Sequence, residues 1–168
     1  EPLLCLHCGL GQSTLWRAVL HLLSCDVTAV APDFPGHGRS GPWQRNGAPV
    51  HDQALAVAVG LIDKPVHVVG HSFGATVALR LGLERPDLVR SMTLIEPVFF
   101  AVARGDPAFD SLLARDLEIL EAVEAGDLHT AAARFHALWG ETDWDSLAPQ
   151  AQQMAAARFL VLVPEIEN

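Results

Sequence analysis

The chain has 168 residues, 50% of them hydrophobic and 18% charged, a composition that excludes a disordered polypeptide and suits one packed domain. Its formal net charge of −9 argues against a general nucleic-acid binder, because phosphate contacts require clustered Lys and Arg. No apolar run approaches the roughly 20 residues of a membrane-spanning helix, so no membrane partner is expected.

Short apolar runs alternate with helical patterns as far as Pro97, which indicates a parallel sheet with crossover helices. The runs predict strands over Leu3–Leu6, Val27–Ala31, Pro65–Val69 and Met92–Ile95. The helical patterns cover Leu15–Leu23, His51–Leu61 and Phe73–Leu83. The Gly- and Pro-rich segment Phe34–Pro49 is predicted to be an irregular loop. We therefore expect residues 1–97 to form an α/β layer, a mostly parallel sheet with flanking helices.

After Pro97 the pattern becomes entirely helical, Ala-rich and acidic. Residues 1–100 carry 8 acidic and 7 basic side chains (net −1), whereas residues 101–168 carry 12 and 4 (net −8). Helices are predicted over Pro107–Ala125, from the capping Asp127 to about Trp139, and over Ser146–Arg158. Residues 159–168 indicate either a helix end or a strand. We expect residues 98–168 to form a helical cap or lid within the same overall domain.

One segment carries a pattern typical of nucleophilic catalysis. Gly70, Ser72 and Gly74 form Gly-x-Ser-x-Gly between a predicted strand and a predicted helix. A serine on such a sharp turn has a strained backbone that exposes its hydroxyl, and the glycines leave room for close backbone approach. The following helix N-terminus presents N–H groups that can stabilise an oxyanion. The alternative is a Gly-rich turn that only packs a helix on a strand.

Four segments in this part of the chain share their order and spacing with a known set of motifs. They are Leu6–Gly11, Asp33–Ser40, His71–Gly74 and Leu94–Pro97. Together they resemble the oxyanion loop, the Asp-x-x-Gly-His-Gly-x-Ser loop, the nucleophile elbow and the end of the sixth strand of the α/β-hydrolase family. The resemblance implies that residues 1–97 are a partial α/β-hydrolase core and that the later helices lie where the family inserts its cap.

The resemblance also implies roles for individual residues. Ser72 would be the nucleophile, and the backbone N–H groups of Phe73 and Gly9 would form the oxyanion hole. Cys8 stands where the family commonly has Gly, so the second donor is assigned to Gly9 by position. The expected substrate chemistry needs neither a metal nor an organic cofactor.

Roles are also predicted for four polar side chains near these motifs, and three of them have two possible roles. His7 is expected to orient the oxyanion loop or to contact substrate. His71 flanks the nucleophile and either contacts substrate or packs into the core. Asp33 is expected to anchor its loop by accepting hydrogen bonds from backbone N–H groups. Glu96 is the one candidate for the catalytic acid, with a structural role as the alternative.

A catalytic histidine is not evident in the sequence. Downstream of Ser72 the histidines are His129 and His136, and both lie in Ala-rich helical patterns rather than after a strand. The family places an acid and then a histidine after late strands, which this pattern lacks. We therefore expect the chain to be a fragment of a longer hydrolase, truncated at both ends, with little or no activity by itself.

Cysteine content and the pattern at Cys5, His7 and Cys8 bear on compartment and metal binding. Three cysteines are too few for a disulfide scaffold, so a reducing, cytoplasmic location is expected. A zinc site is disfavoured because no second ligand pair follows Cys5, His7 and Cys8.

The sequence thus predicts a serine hydrolase that acts on an ester-like or other small-molecule carbonyl substrate. The alternatives are a non-catalytic binding protein of the same fold and an acyltransferase that uses the same site. The sequence does not indicate an oligomeric state or the identity of the substrate.

Overall fold

The computed structural model describes residues 1–43, 47–140 and 142–159. The chain divides into two compact units, of which the first spans Glu1–Phe99 and the second begins at Phe100. The sequence analysis proposed a division after Pro97.

The first unit is an open parallel sheet with helices between its strands. Its elements are β1 (Pro2–Leu6), α1 (Trp16–Leu22), β2 (Thr28–Val30), α2 (Val50–Gly60), β3 (Val66–His71), α3 (Phe73–Glu84) and β4 (Val89–Ile95). The strand order is β2-β1-β3-β4, and all three pairings are parallel. The predicted α/β fold with a parallel sheet and flanking helices is therefore confirmed.

The strand order fixes where a site can form. From β1 the chain crosses to β2 at one edge of the sheet and then returns to β3 on the other side of β1. The loops that leave the carboxyl ends of β1 and β3 therefore diverge, and a crevice opens between them. Gly9 follows β1 and Ser72 follows β3, so the two predicted site segments lie on either side of this crevice.

The core of the first unit lies between the sheet and α3. Burial alternates along β3, where Val66, Val68 and Gly70 are buried and the intervening residues are half-buried. Gly70 lies against the first turn of α3, so this buried face is the one that α3 covers. The apolar side of α3 supplies the opposing buried residues Val77, Ala78 and Leu81.

The second unit consists of three helices, α4 (Pro107–Glu124), α5 (Leu128–Trp139) and α6 (Pro149–Arg158). The predicted N-caps of α4 and α5 are confirmed. Asp106 accepts a hydrogen bond from the Ala108 N–H at 2.8 Å, and Asp127 accepts one from the Thr130 N–H at 3.0 Å.

The predicted start of the last helix is wrong by three residues. α6 begins at Pro149 rather than Ser146, and Trp144–Ser146 form a separate 3₁₀ turn. Ala148 has ψ of 141°, because the ring of a following proline disfavours helical backbone in the preceding residue. The ambiguous segment 159–168 lies outside the described residues except for Phe159.

Among the described helices, none combines the length and the apolar character needed to cross a membrane.

Candidate active site

Ser72 occupies the junction between β3 and α3, where the chain turns without an intervening loop. Its backbone has φ of 53° and ψ of −117°, a conformation that costs a non-glycine residue free energy and that persists where surrounding structure holds it. The Ser72 N–H donates to the carbonyl of Ile95 at 2.9 Å, and the Ser72 carbonyl accepts from the N–H groups of Ala75 and Thr76. The turn is therefore tied both to β4 and to the first turn of α3.

The two glycines of the motif permit close backbone contacts around Ser72. A Cβ on Gly70 would lie 2.6 Å from the carbonyl carbon of Gly74, and a Cβ on Gly74 would lie 2.5 Å from the carbonyl oxygen of His7. Any side chain at either position would collide with backbone. The glycines thus allow α3 to pack directly against the ends of β3 and β1, which holds the serine at the crevice.

The two predicted oxyanion donors, the N–H groups of Phe73 and Gly9, belong to the segments that these close contacts bring together. The Phe73 N–H is at the first position of α3 and by that position has no partner within the helix. Gly9 lies in a turn closed by a 3.1 Å hydrogen bond from the Gly11 N–H to the Cys8 carbonyl. The close approach of Gly74 to the His7 carbonyl brings this turn to the first turn of α3.

His7 connects the loop after β1 to the loop after β2. Its Nε2 accepts a hydrogen bond from the Phe34 N–H at 3.0 Å, so its Nδ1 carries the proton and donates to the Cys8 carbonyl at 2.8 Å. The side chain is fully buried, and burial lowers the pKa of His7 to about 4. Because both ring nitrogens are engaged, the structure favours the loop-orienting role of His7. Substrate contact by His7 remains a prediction, and its side chain lines a small cavity together with Cys8 and His71.

Asp33 anchors the loop that follows β2, as the sequence predicts. Its carboxylate accepts hydrogen bonds from the Ser13 N–H at 2.6 Å and the Arg39 N–H at 2.9 Å. Partial burial opposes ionisation, but these N–H donors outweigh it and lower the pKa of the Asp33 carboxyl. The Ser13 bond also connects this loop to the segment that leads into α1.

The His71 and Glu96 side chains lie within ion-pair distance of each other, with His71 directly before Ser72 and Glu96 directly after Ile95 in the chain. The His71 Nε2 lies 3.6 Å from the Glu96 carboxylate, with His71 half-buried and Glu96 exposed. His71 also lines a small cavity of 160 Å³ together with apolar side chains of α1 and with Ile95. The roles of Glu96 as the catalytic acid and of His71 as a substrate contact remain predictions.

The downstream histidines lie on α5 in the second unit. The His136 Nε2 donates to the Thr142 carbonyl at 2.8 Å, and the rings of His129 and His136 both contact Trp144. Among the described residues of the first unit, no histidine is hydrogen-bonded to the Ser72 hydroxyl. The general base is therefore not assigned within that part.

The pattern at Cys5, His7 and Cys8 has no metal-binding arrangement around it. In residues 1–43, 47–140 and 142–159, no three His, Cys, Asp or Glu side chains are grouped so as to hold a metal ion. Cys5 is fully buried, and burial raises the pKa of its thiol to about 11.

Sequence reasoning missed a polar cluster behind the elbow. His51 on α2 reaches Thr76 and Arg80 on α3, and Thr76 in turn contacts the backbone of Phe73. The available signal was the spacing of Thr76, Arg80 and Glu84, which places three polar residues along one face of a largely apolar helix.

Comparison with known proteins decides the family. The family model described as alpha/beta hydrolase family matches residues 3–167. The chain belongs to the alpha/beta hydrolase family. The resemblance seen in its motifs is thereby confirmed.

Among its relatives, this alpha/beta hydrolase is 34% identical over 146 residues to the lipase LipV of Mycobacterium tuberculosis. It is 27% identical over 155 residues to the (E)-2-((N-methylformamido)methylene)succinate hydrolase of Acinetobacter baylyi. These matches cover 83% and 89% of the chain but only 52% and 55% of the two relatives. The chain therefore spans about half the length of the curated relatives it matches.

A solved structure of similar fold is the thioesterase domain from the curacin biosynthetic pathway. It is 27% identical, with a TM-score of 0.56, and the match covers 94% of this chain and 58% of that one.

Proposed function

We propose that the protein is a serine hydrolase that cleaves ester-like bonds of a small-molecule substrate through an acyl-enzyme on Ser72. The observation that carries this proposal is the left-handed backbone of Ser72 at a strand-to-helix junction, held by Gly70 and Gly74. A strained non-glycine residue persists where the surrounding structure imposes it, and a strand-to-helix turn of this kind is one that presents a serine hydroxyl near helix N–H groups.

The proposed reaction has two steps. The Ser72 Oγ attacks the substrate carbonyl carbon as its proton passes to a general base, and the N–H groups of Phe73 and Gly9 stabilise the oxyanion. The carbon–oxygen bond to the leaving alcohol then breaks, and the alcohol takes up the proton. Water attacks the acyl-enzyme in the second step, releasing a carboxylic acid and restoring the Ser72 hydroxyl.

The relatives support the class of reaction. Their names are lipase, hydrolase and thioesterase, and lipases and thioesterases cleave acyl bonds to oxygen and sulfur. The cavity lined by His71 and His7 also has Leu15, Val19 and Ile95 in its walls, which favours an apolar group on the substrate. A p-nitrophenyl ester of a short aliphatic acid is therefore a suitable first substrate.

The test compares Ser72→Ala with Ser91→Ala in the full-length natural protein. Ser91 lies on β4 in the same unit and supplies a matched serine away from the elbow. We expect turnover of p-nitrophenyl butyrate by wild type and by Ser91→Ala, and loss of at least about 1,000-fold for Ser72→Ala, since the nucleophile is gone. A Ser72→Ala protein that retains turnover would refute the assignment.

The absence of a base bonded to Ser72 within the described first unit motivates the alternative of a non-catalytic binding protein. Under that alternative, a fluorophosphonate that reacts with activated serines would leave Ser72 unlabelled in the full-length protein. Labelling of the peptide that contains Ser72, detected by mass spectrometry, supports the hydrolase. Product analysis with an added alcohol separates hydrolysis from acyl transfer, because only an acyltransferase would give mainly the new ester.

A further inference from the structure

We propose that His51 is a positioning residue for the nucleophile elbow, acting through the hydroxyl of Thr76 and the ring of Phe73. This inference rests on the proposed function, because positioning matters through the reaction at Ser72. His51 lies in the first turn of α2, outside every motif that defines the site.

A chain of hydrogen bonds connects His51 to the backbone of the elbow. The Thr76 hydroxyl donates to the Phe73 carbonyl at 2.7 Å, so its single proton is committed. The His51 Nε2, 3.1 Å from the same hydroxyl, therefore carries a proton and donates to it. His51 thus controls a hydroxyl that bonds the residue immediately after the nucleophile.

Arg80 fixes the orientation and tautomer of His51. Its guanidinium lies 3.4 Å from the His51 Nδ1, which accepts because the proton is on Nε2. Arg80 is held in turn by Asp52 at 2.5 Å and by Glu84 at 2.6 Å. A neutral imidazole with a defined direction is thereby directed at Thr76.

Ring packing connects the same residues a second time. The buried Phe73 ring contacts the edge of His51 at 5.4 Å on one side and Phe34 at 5.5 Å on the other. Phe34 is joined through its N–H to His7, which orients the loop of Gly9. Phe73 is therefore held between α2 and the loop tied to the second proposed oxyanion donor.

The consequence concerns the oxyanion hole. The Phe73 N–H is a proposed donor, and donors stabilise a transition state only when fixed about 3 Å from the developing charge. Without the hydrogen bond from His51 to Thr76, the Thr76 hydroxyl and the Phe73 ring lose a contact that holds them in place. The transition state would then lose stabilisation while ground-state binding of the substrate would change little.

The experiment uses the full-length natural protein, with kcat normalised to the concentration of titrated active sites. His51→Phe keeps a ring against Phe73 but removes the donor, and Thr76→Val removes the hydroxyl at nearly constant shape. Each is expected to lower kcat about tenfold with KM within about twofold of wild type, because even small misplacements are costly. Thr76→Ser should restore kcat, and the double variant should be no worse than either single variant.

His67→Phe is the matched control. It removes a histidine–hydroxyl hydrogen bond of the same kind, between His67 and Ser91 on neighbouring strands, and leaves His51, Thr76 and Arg80 in place, so kcat should remain at the wild-type value. A fall in thermal stability without a change in normalised kcat for His51→Phe and Thr76→Val would overturn the inference. That result would reduce the cluster to packing between two helices.

Failure of the proposed function is distinguishable from failure of this inference. If wild type, like Ser72→Ala, turns over no ester, the hydrolase proposal fails and the backbone amide resonance of Phe73 becomes the readout. His51→Phe and Thr76→Val should each shift that ¹H–¹⁵N resonance, and His67→Phe should leave it in place. An unshifted Phe73 resonance in both variants would overturn the positioning role.

Discussion

Ser72 and Glu96, at the ends of neighbouring strands, are non-glycine residues that both have positive φ. Their φ angles are 53° and 48°, and they follow the paired residues His71 and Ile95 of β3 and β4. The Ser72 N–H donates to the Ile95 carbonyl at 2.9 Å, and the His71 Nε2 lies 3.6 Å from the Glu96 carboxylate. The strained turn of the nucleophile is therefore supported by a second strained turn on the adjacent strand.

Replacement of Glu96 by glycine tests this strain. Glycine occupies left-handed backbone without the steric cost of a Cβ, so Glu96→Gly should raise the free energy of unfolding by about 0.5–1 kcal/mol. Loss of the exposed ion pair with His71 subtracts little from this gain. Glu121→Gly, in the middle of α4, is the control and should lower stability by about 1 kcal/mol. Urea denaturation measures both, and a loss of stability in Glu96→Gly would show that the turn is unstrained.

The close approach of α3 to β1 makes Gly74 intolerant of substitution. The Cβ of Gly74→Ala would lie 2.5 Å from the His7 carbonyl oxygen, and backbone atoms cannot rotate away as a side chain can. We expect a loss of at least about 2 kcal/mol in the free energy of unfolding. Gly60→Ala, where nothing lies within 4 Å of the new Cβ, should be neutral or slightly stabilising. Equal stability of the two variants by urea denaturation would contradict the packing described for the elbow.

Local signals in the sequence identified the elbow and most elements. The Gly-x-Ser-x-Gly spacing predicted the turn because its residues are close together in the sequence, although the steric demand on Gly74 comes from the distant His7 backbone. The end of β3 was predicted at Val69 but lies at His71, since Gly70 and His71 are extended by pairing with Leu94 and Ile95 of β4. That pairing joins distant parts of the chain, so no local pattern indicates it.

The support behind the elbow was not predictable for the same reason. His51 and Thr76 are 25 residues apart and meet only when α2 and α3 pack. For His7, the sequence indicated the residue but not its hydrogen-bond partner, Phe34. The Phe34 N–H that fixes the tautomer of His7 comes from a loop 27 positions later.

The free energy of unfolding should fall when Asp33 loses one of its two carboxylate oxygens. Its two oxygens accept from two different backbone N–H groups, and an asparagine offers one acceptor oxygen and one NH₂ group that would face a donor. Asp33→Asn is expected to lower the free energy of unfolding by about 1–3 kcal/mol. Asp106→Asn is the control, because asparagine caps a helix as well as aspartate does. Thermal denaturation at neutral pH compares the two, and a stable Asp33→Asn protein would remove the anchoring role.

The buried, neutral His7 predicts a loss of stability in mild acid. Burial lowers its pKa from 6.5 to about 4 on folding, so the unfolded chain binds more protons between these values. The contribution of His7 is complete above pH 6.5 and is lost as pH falls toward 4, by up to about 3 kcal/mol of unfolding free energy. The lowered pKa of His51, caused by burial and by Arg80, acts in the same direction.

Urea denaturation between pH 7.5 and pH 4 measures this dependence. His7→Asn should be less stable than wild type at pH 7.5, because one of two hydrogen bonds is lost, but its stability should fall less steeply below pH 6.5. His21→Asn, at an exposed position on α1, should keep the wild-type slope. An unchanged slope in His7→Asn would mean that the ring is not held neutral, and the link between the loops after β1 and β2 would then need another cause.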